Sequence, residues 1–268
     1  MQAIAVLAST AKAAPVKVDT ELLLLVDVSG SVSETDYALM TAAYGRVMTS
    51  SAVLNAIQSG HIGKIATSVL FWSSNTNQSV GVSWMEISDF SSAQNFSNLI
   101  NAATRPFGGA TAIGTAIDIG TPMFGSETGG TENGFHSVTQ IINVAGDGVD
   151  NSTSPRVRDR SVNVAAARDA ALAAGVDMIN GIAIGDSSGA LEQYYKSFVM
   201  GGSVEETASF VERADTFSAF ESALLRSLVQ EINTGAVVSP PEVVPEPSAL
   251  LFLPISCLLI LRRNRSNS

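Results

Sequence analysis

The sequence predicts an α/β fold: an open, doubly wound, mostly parallel sheet with helices on both faces. Three observations carry that expectation. The apolar run ELLLLV at 21–26 is continuous rather than alternating, as a strand covered on both faces requires. Runs of this kind alternate along the chain with segments of helical period, the pattern of parallel strands joined by crossover helices. The composition, 46% hydrophobic and 15% charged over 268 residues, supplies one sizeable core, and no internal repeat divides it.

The first strand stops abruptly at DVSGS (27–31). Ser33 and Asp36 then form a capping-box pattern ahead of Tyr37, Met40, Tyr44, Val47 and Leu54, which recur at helical spacing. Strands are expected at 65–72 (IATSVLFW) and 79–87 (SVGVSWMEI), followed by helices at 92–103 and 111–119. A strand at 138–146, VTQIINVAG, precedes an alanine-rich helix at 162–175. A strand at 176–185, a helix at 191–199, a last strand at 209–214 and a closing helix at 216–232 complete the alternation, so the folded unit spans 17–233. Trp72 and Trp84 belong to the core in this reading, Tyr194 and Tyr195 pack a helix on the sheet, and His61 sits at an exposed helix end.

Sheets of this class bind ligands beyond the carboxyl ends of their strands, where the strand order reverses. Three segments rich in oxygen donors fall on that edge: DVSGS (27–31), GGATAIG (108–114) and GDGVDN (146–151). Asp27, Ser29 and Ser31 occupy alternate residues of a turn leaving a strand, so their side chains converge while Gly30 permits the tight backbone. Thr111 adds a third hydroxyl and Asp147 a second carboxylate. Such hard donors suit Mg²⁺ or another small hard cation, with Mn²⁺ and Ca²⁺ as the alternatives. Two carboxylates neutralise a dication, and an open position then favours an anionic oxygen, typically the carboxylate of a protein or matrix ligand. Asp150 and Asn151 either border this site or cap the next segment.

Other chemistries find less support. A net charge of −10 repels phosphates, which sets nucleic acid aside as a partner. The one cysteine, Cys257, lies in an apolar tail, so the folded part holds no disulfide. With His61 and His136 the only histidines, and far apart, neither a histidine-rich zinc site nor a Ser-His-Asp relay is expected. GGATAIG lacks the spacing of a dinucleotide loop and the lysine of a phosphate loop.

Asp27-x-Ser29-x-Ser31, the later Thr111 and the later Asp147 resemble the metal-ion-dependent adhesion site of von Willebrand factor type A domains. GDGVDN, INGIAIG, LEQYYKSFVMGG and the closing helix look like a bacterial subfamily of such domains, and the resemblance covers residues 20–232. It implies an open α/β fold, a non-enzymatic binding function, and Ser29, Ser31 and Thr111 as direct or near-direct metal ligands, with Asp27 and Asp147 acting largely through water. One departure is Gly146, where the family usually has a threonine. The main enzymatic rival is a haloacid-dehalogenase-like phosphatase, which would use Asp27 as nucleophile and GDGVD as its late motif. Ser29 stands where that family needs its second aspartate, no lysine lies between Lys64 and Asp147, and Arg105 is the only substitute. A third reading is a structural matrix protein whose metal only stabilises it.

The chain ends are expected to be processed rather than folded. Residues 234–247 contain four prolines and read as an extended spacer. The tail at 245–268 joins Pro-Glu-Pro, an apolar run at 249–261 and the arginines 262, 263 and 265; it closely resembles the PEP-CTERM sorting signal of Gram-negative bacteria. That resemblance implies recognition and removal by an exosortase, transient anchoring in the inner membrane, and delivery to the cell envelope or extracellular (biofilm) matrix. The apolar run is short of the roughly 20 residues of a permanent span, and the arginines orient it with the domain outside the cytoplasm. Residues 1–14 offer an apolar AIAVLA and an A-K-A suited to signal cleavage, without the basic start of a complete leader.

Overall fold

The computed structural model describes residues 13–153 and 160–238. Residues 1–12 of the expected leader, most of the proline-rich spacer and the whole sorting tail lie outside the described residues. In chain order the elements are β1 (Val16–Lys17), β2 (Thr20–Asp27), α1 (Glu34–Met48), α2 (Ser51–Gln58), β3 (Ile65–Trp72), β4 (Gln78–Ile87), α3 (Phe90–Ala102), α4 (Ile113–Gly120), β5 (Phe135–His136) and β6 (Gln140–Gly146). They continue with α5 (Ser161–Ala174), β7 (Met178–Ile184), α6 (Ala190–Tyr194), β8 (Gly201–Val204), β9 (Thr207–Ala208), β10 (Val211–Ala214) and α7 (Phe220–Ala236). The main sheet runs β4-β3-β2-β6-β7-β8-β9, with β10 also paired to β7. The pairs β2–β3, β2–β6, β6–β7 and β7–β10 are parallel; β4 is the antiparallel edge on β3.

Every residue of β2 is buried because the strand serves two cores at once. Leu22, Leu24 and Val26 point to the face covered by α1, α2, α3 and α7, while Leu23 and Leu25 point to the face covered by α4 and α5. The chain steps from β2 to β3 on one side and later returns to β6 on the other, so the strand order reverses at the C-terminal ends of β2 and β6.

Three local departures from the sequence reading have physical causes. The helix expected to run from Ser33 through Leu54 is two helices. It begins as anticipated, with Ser33 and Asp36 forming a capping box, but Thr49 ends α1 and Ser50 caps α2, its hydroxyl accepting from Val53 N at 3.3 Å. The helix expected at 191–199 changes pitch: after α6, residues 195–199 form a π-turn closed by the Met200 N–H to Tyr195 carbonyl bond of 2.9 Å. Finally α7 runs to Ala236, past the expected boundary at 233 and into the expected spacer. Trp72 and Tyr195 are fully buried, Trp84 is only partly so and donates from Nε1 to the Met123 carbonyl at 2.8 Å, and His61 is exposed just beyond α2. Among the described residues no helix is long and apolar enough to cross a membrane.

Candidate metal centre

The ends of β2 and β6 lie side by side, since Val26 pairs with Ala145. Asp27, the last residue of β2, is wholly buried, and its Oδ1 accepts the Ser29 N–H at 2.7 Å, which folds the following turn back onto the strand end. The Ser29 and Ser31 hydroxyls are thereby 3.2 Å apart. Ser31 Oγ donates to Asp147 Oδ1 at 2.7 Å, and Thr111 Oγ1 donates to Ser29 Oγ at 3.4 Å. All five residues singled out in the sequence are joined in one network, buried at Asp27, Ser29 and Thr111 and open to solvent at Ser31.

Thr111 is held ready by its surroundings. Helix α4 starts only at Ile113 and no side chain caps it, so the Thr111 hydroxyl is free to face Ser29. Asn151 clasps the Thr111 backbone on both sides: its Oδ1 accepts from Thr111 N at 2.9 Å, and its N–H donates to the Thr111 carbonyl at 2.8 Å. Asp150 accepts from Gly114 N, Ser152 N and Thr153 N, pinning the start of α4 to the loop after β6. Of the two roles open to these residues, Asn151 borders the candidate site by holding the Thr111 backbone, while Asp150 caps the segment that follows it and also holds Gly114 N. Gly109, at φ +131°, accepts the Gly30 N–H on its carbonyl at 2.7 Å and locks the first two loops together.

Sequence reasoning named Arg105 only as a rival enzyme's substitute. Its Nη2 donates to the Val28 and Ser29 carbonyls at 3.0 and 2.6 Å, and Nη1 pairs with Glu34 at 3.0 Å. The guanidinium therefore braces the DVSGS turn from behind. No local pattern could have revealed this, because the partners are backbone oxygens more than 70 positions away.

Burial pushes the Asp27 carboxyl up to about 7, against the lowering effect of the Ser29 N–H and with a further push from Asp147. Asp147 is raised too, again by burial first, with the Ser31 hydroxyl pulling the other way. Asp27 Oδ2 has no hydrogen-bond partner among the described residues. Two carboxyls that resist ionisation, one with an orphaned buried oxygen, beside three convergent hydroxyls, form a donor set that a hard dication fits. Among the described residues no three His, Cys, Asp or Glu side chains gather at ligand spacing; here three of the five donors are hydroxyls. A groove of about 730 Å³ between α7 and β9, lined by Thr207, Arg226 and Val237 among others, shares none of these residues.

A family model described as "Protein of unknown function (DUF1194)" matches residues 17–236. The chain belongs to the DUF1194 family. No curated protein matches this DUF1194 sequence. Among solved structures, the DUF1194 fold is similar to proximal thread matrix protein 1 from the mussel byssus, with a TM-score of 0.53 at 18% identity over 82% of this chain and 50% of that one. One structure of that mussel protein has a zinc-occupied MIDAS motif. It is similar also to the pilus adhesin SpaC from Lactobacillus rhamnosus GG, at TM-score 0.56 and 15% identity over 83% of this chain and 31% of that one. The vWF domain of the type V pili tip protein Mfa5 from Porphyromonas gingivalis matches at TM-score 0.51 and 11% identity, over 85% and 99% of the two chains. This DUF1194 domain therefore has the von Willebrand A-like fold, and it spans about half the length of the mussel protein and a third of SpaC.

Proposed function

We propose that the domain is an exported, cation-dependent binding module, not an enzyme, which grips an acidic group of a protein or matrix partner. The observation that carries this is the convergence of Asp27, Ser29, Ser31, Thr111 and Asp147 on one edge of the sheet, with Asp27 Oδ2 left without a partner. Ser29, Ser31 and Thr111 would hold the ion through hydroxyls, and Asp27 and Asp147 would balance its charge; Mg²⁺ suits this all-oxygen set, with Mn²⁺ or Ca²⁺ as substitutes. Bound there, the cation supplies a Lewis-acidic position for an incoming carboxylate oxygen. The open side at Ser31 and Asp147 leaves room for one protruding group rather than an enclosed small molecule.

The phosphatase alternative loses ground on geometry. Asp27, its nucleophile, is wholly buried with one oxygen held by a backbone N–H, and Arg105 is spent on backbone carbonyls. The likeness to a pilus adhesin, a pilus tip domain and a thread matrix protein supports an adhesive or matrix role at the cell surface. The tail signature supports sorting by an exosortase to the envelope or matrix of a Gram-negative bacterium after transient inner-membrane anchoring.

The deciding experiment measures binding to a carboxylate-coated surface and to the same surface methyl-esterified, with Mg²⁺ or with EDTA. Wild type should bind the carboxylate surface in Mg²⁺ only, and Asp27→Ala should lose that binding while its circular dichroism spectrum is unchanged. Binding that ignores both EDTA and the substitution overturns the proposal; metal-dependent stability without carboxylate binding leaves a cation that serves the fold alone.

A further inference from the structure

The rear wall of the site contains a hydroxyl outside the motif. Tyr195, the first residue of the π-turn, is fully buried with its ring on the sheet. A Cβ at Gly181 would come 2.6 Å from its Cδ1. One strand over, a Cβ at Gly146 would come 2.7 Å from Tyr195 Oη and 3.0 Å from Asp27 Oδ2. Glycines on neighbouring strands, Gly146 on β6 and Gly181 on β7, thus open a slot through which the phenol reaches toward the end of β2. Any side chain at either position would close it.

Tyr195 Oη and Asp27 Oδ2 are both inaccessible to solvent, and neither has any hydrogen-bond partner among the described residues, each other included. A buried polar atom left unsatisfied forfeits its hydration with nothing in return. Here one orphan is a donor and the other an acceptor, both within 3.0 Å of the position a Gly146 Cβ would take, and so within the span of one bridging water.

We infer that Tyr195 is a positioning residue of the cation site: its hydroxyl donates through one bridging water to Asp27 Oδ2 and fixes the orientation of that carboxylate. With Ser29 N–H on Oδ1 and Tyr195 on Oδ2, the carboxylate cannot swing, and each oxygen keeps a lone pair for the ion or its water. This role rests on the proposed cation reading; the hydrogen bond itself does not. Partners of this outer kind typically change metal affinity by 10–100-fold.

The test compares wild type, Tyr195→Phe and Tyr44→Phe, the last removing another buried, unpartnered tyrosine hydroxyl from the core on the opposite face. Two readouts are taken: the ¹³C resonance of the Asp27 carboxyl in metal-free protein, and the Kd for Mn²⁺ by titration calorimetry. Tyr195→Phe should move the carboxyl resonance and raise the Kd about tenfold, and Tyr44→Phe should do neither. An unmoved resonance overturns the hydrogen bond, and a moved resonance with unchanged Kd overturns the positioning role. A wild type that binds no Mn²⁺ while the resonance still moves overturns the cation reading and the positioning role together, but leaves the hydrogen bond standing.

Discussion

Single residues show where this fold stores electrostatic cost. Glu231 on α7 is entirely buried, and its Oε1 accepts from Asn143 Nδ2 at 2.7 Å, Asn180 Nδ2 at 3.0 Å and Ser227 Oγ at 3.2 Å, while Oε2 and the Asn143 Oδ1 have no partner among the described residues. Burial outweighs those donors and pushes the carboxyl from 4.5 up to about 7. Because the folded pKa is raised, the native state binds the proton more tightly than the unfolded chain, so this group's favourable contribution is full below about 4.5 and is lost as pH rises to about 7. Glu231→Gln should flatten that part of the stability profile and raise the unfolding midpoint by several degrees above pH 7, as read by thermal denaturation across a pH series. Glu21 and Asp27, also raised to about 7 chiefly by burial, keep a residual slope in the variant. An identical profile in the two proteins would show that Glu231 is not the titrating group. At this scale the proximity of the five candidate residues was legible in the sequence because their spacing is local or ends a strand. The bracing role of Arg105 was not, since its backbone partners lie more than 70 positions away and only the folded chain brings them near.

Whole elements were legible wherever apolar periodicity was strong. All the long strands were found within a few residues, because runs such as ELLLLV and IATSVLFW have no other way to bury themselves. The break between α1 and α2 was hidden because Val47 and Leu54 are seven residues apart, so the helical period runs through it; the capping serine at position 50 was the overlooked signal. The β8–β9 hairpin was missed for a different reason: GGSVEETA has no alternation, and Glu205 makes its turn at φ +50° without the usual glycine. The end of α7 gives the element-scale prediction. A Cβ at Gly235 would come 1.8 Å from Thr20 Oγ1 in the fully buried start of β2. In an exposed helix Gly→Ala stabilises by about 1 kcal/mol, but here overpacking costs about 1–3 kcal/mol and reverses the sign. Gly235→Ala should therefore lower the unfolding midpoint by a few degrees, and a rise would show that the helix end is not docked on β2.

For the whole molecule the consequence of the proposed site is linkage between ion and fold. A cation bound only by the native state at 100 times its Kd adds about 2.7 kcal/mol. In a domain of this size that moves the unfolding midpoint by roughly 5–10 °C. Residues 13–238 should therefore melt higher in excess Mg²⁺ than in EDTA, and Asp27→Ala should melt alike in both; a wild-type midpoint indifferent to every divalent ion would remove the cation from the account. A mechanical consequence follows from the docking of Gly235 on Thr20. The strand β2 starts at the residue against which the last helix ends and finishes at the candidate site, so the C-terminal chain leaves the domain at the pole opposite the site. Were a partner held at the site pulled against the C-terminal chain, the load would enter through the end of α7 and cross its packing on Thr20 before it reached the hydrogen bonds that tie β2 to β3 and β6 along their length.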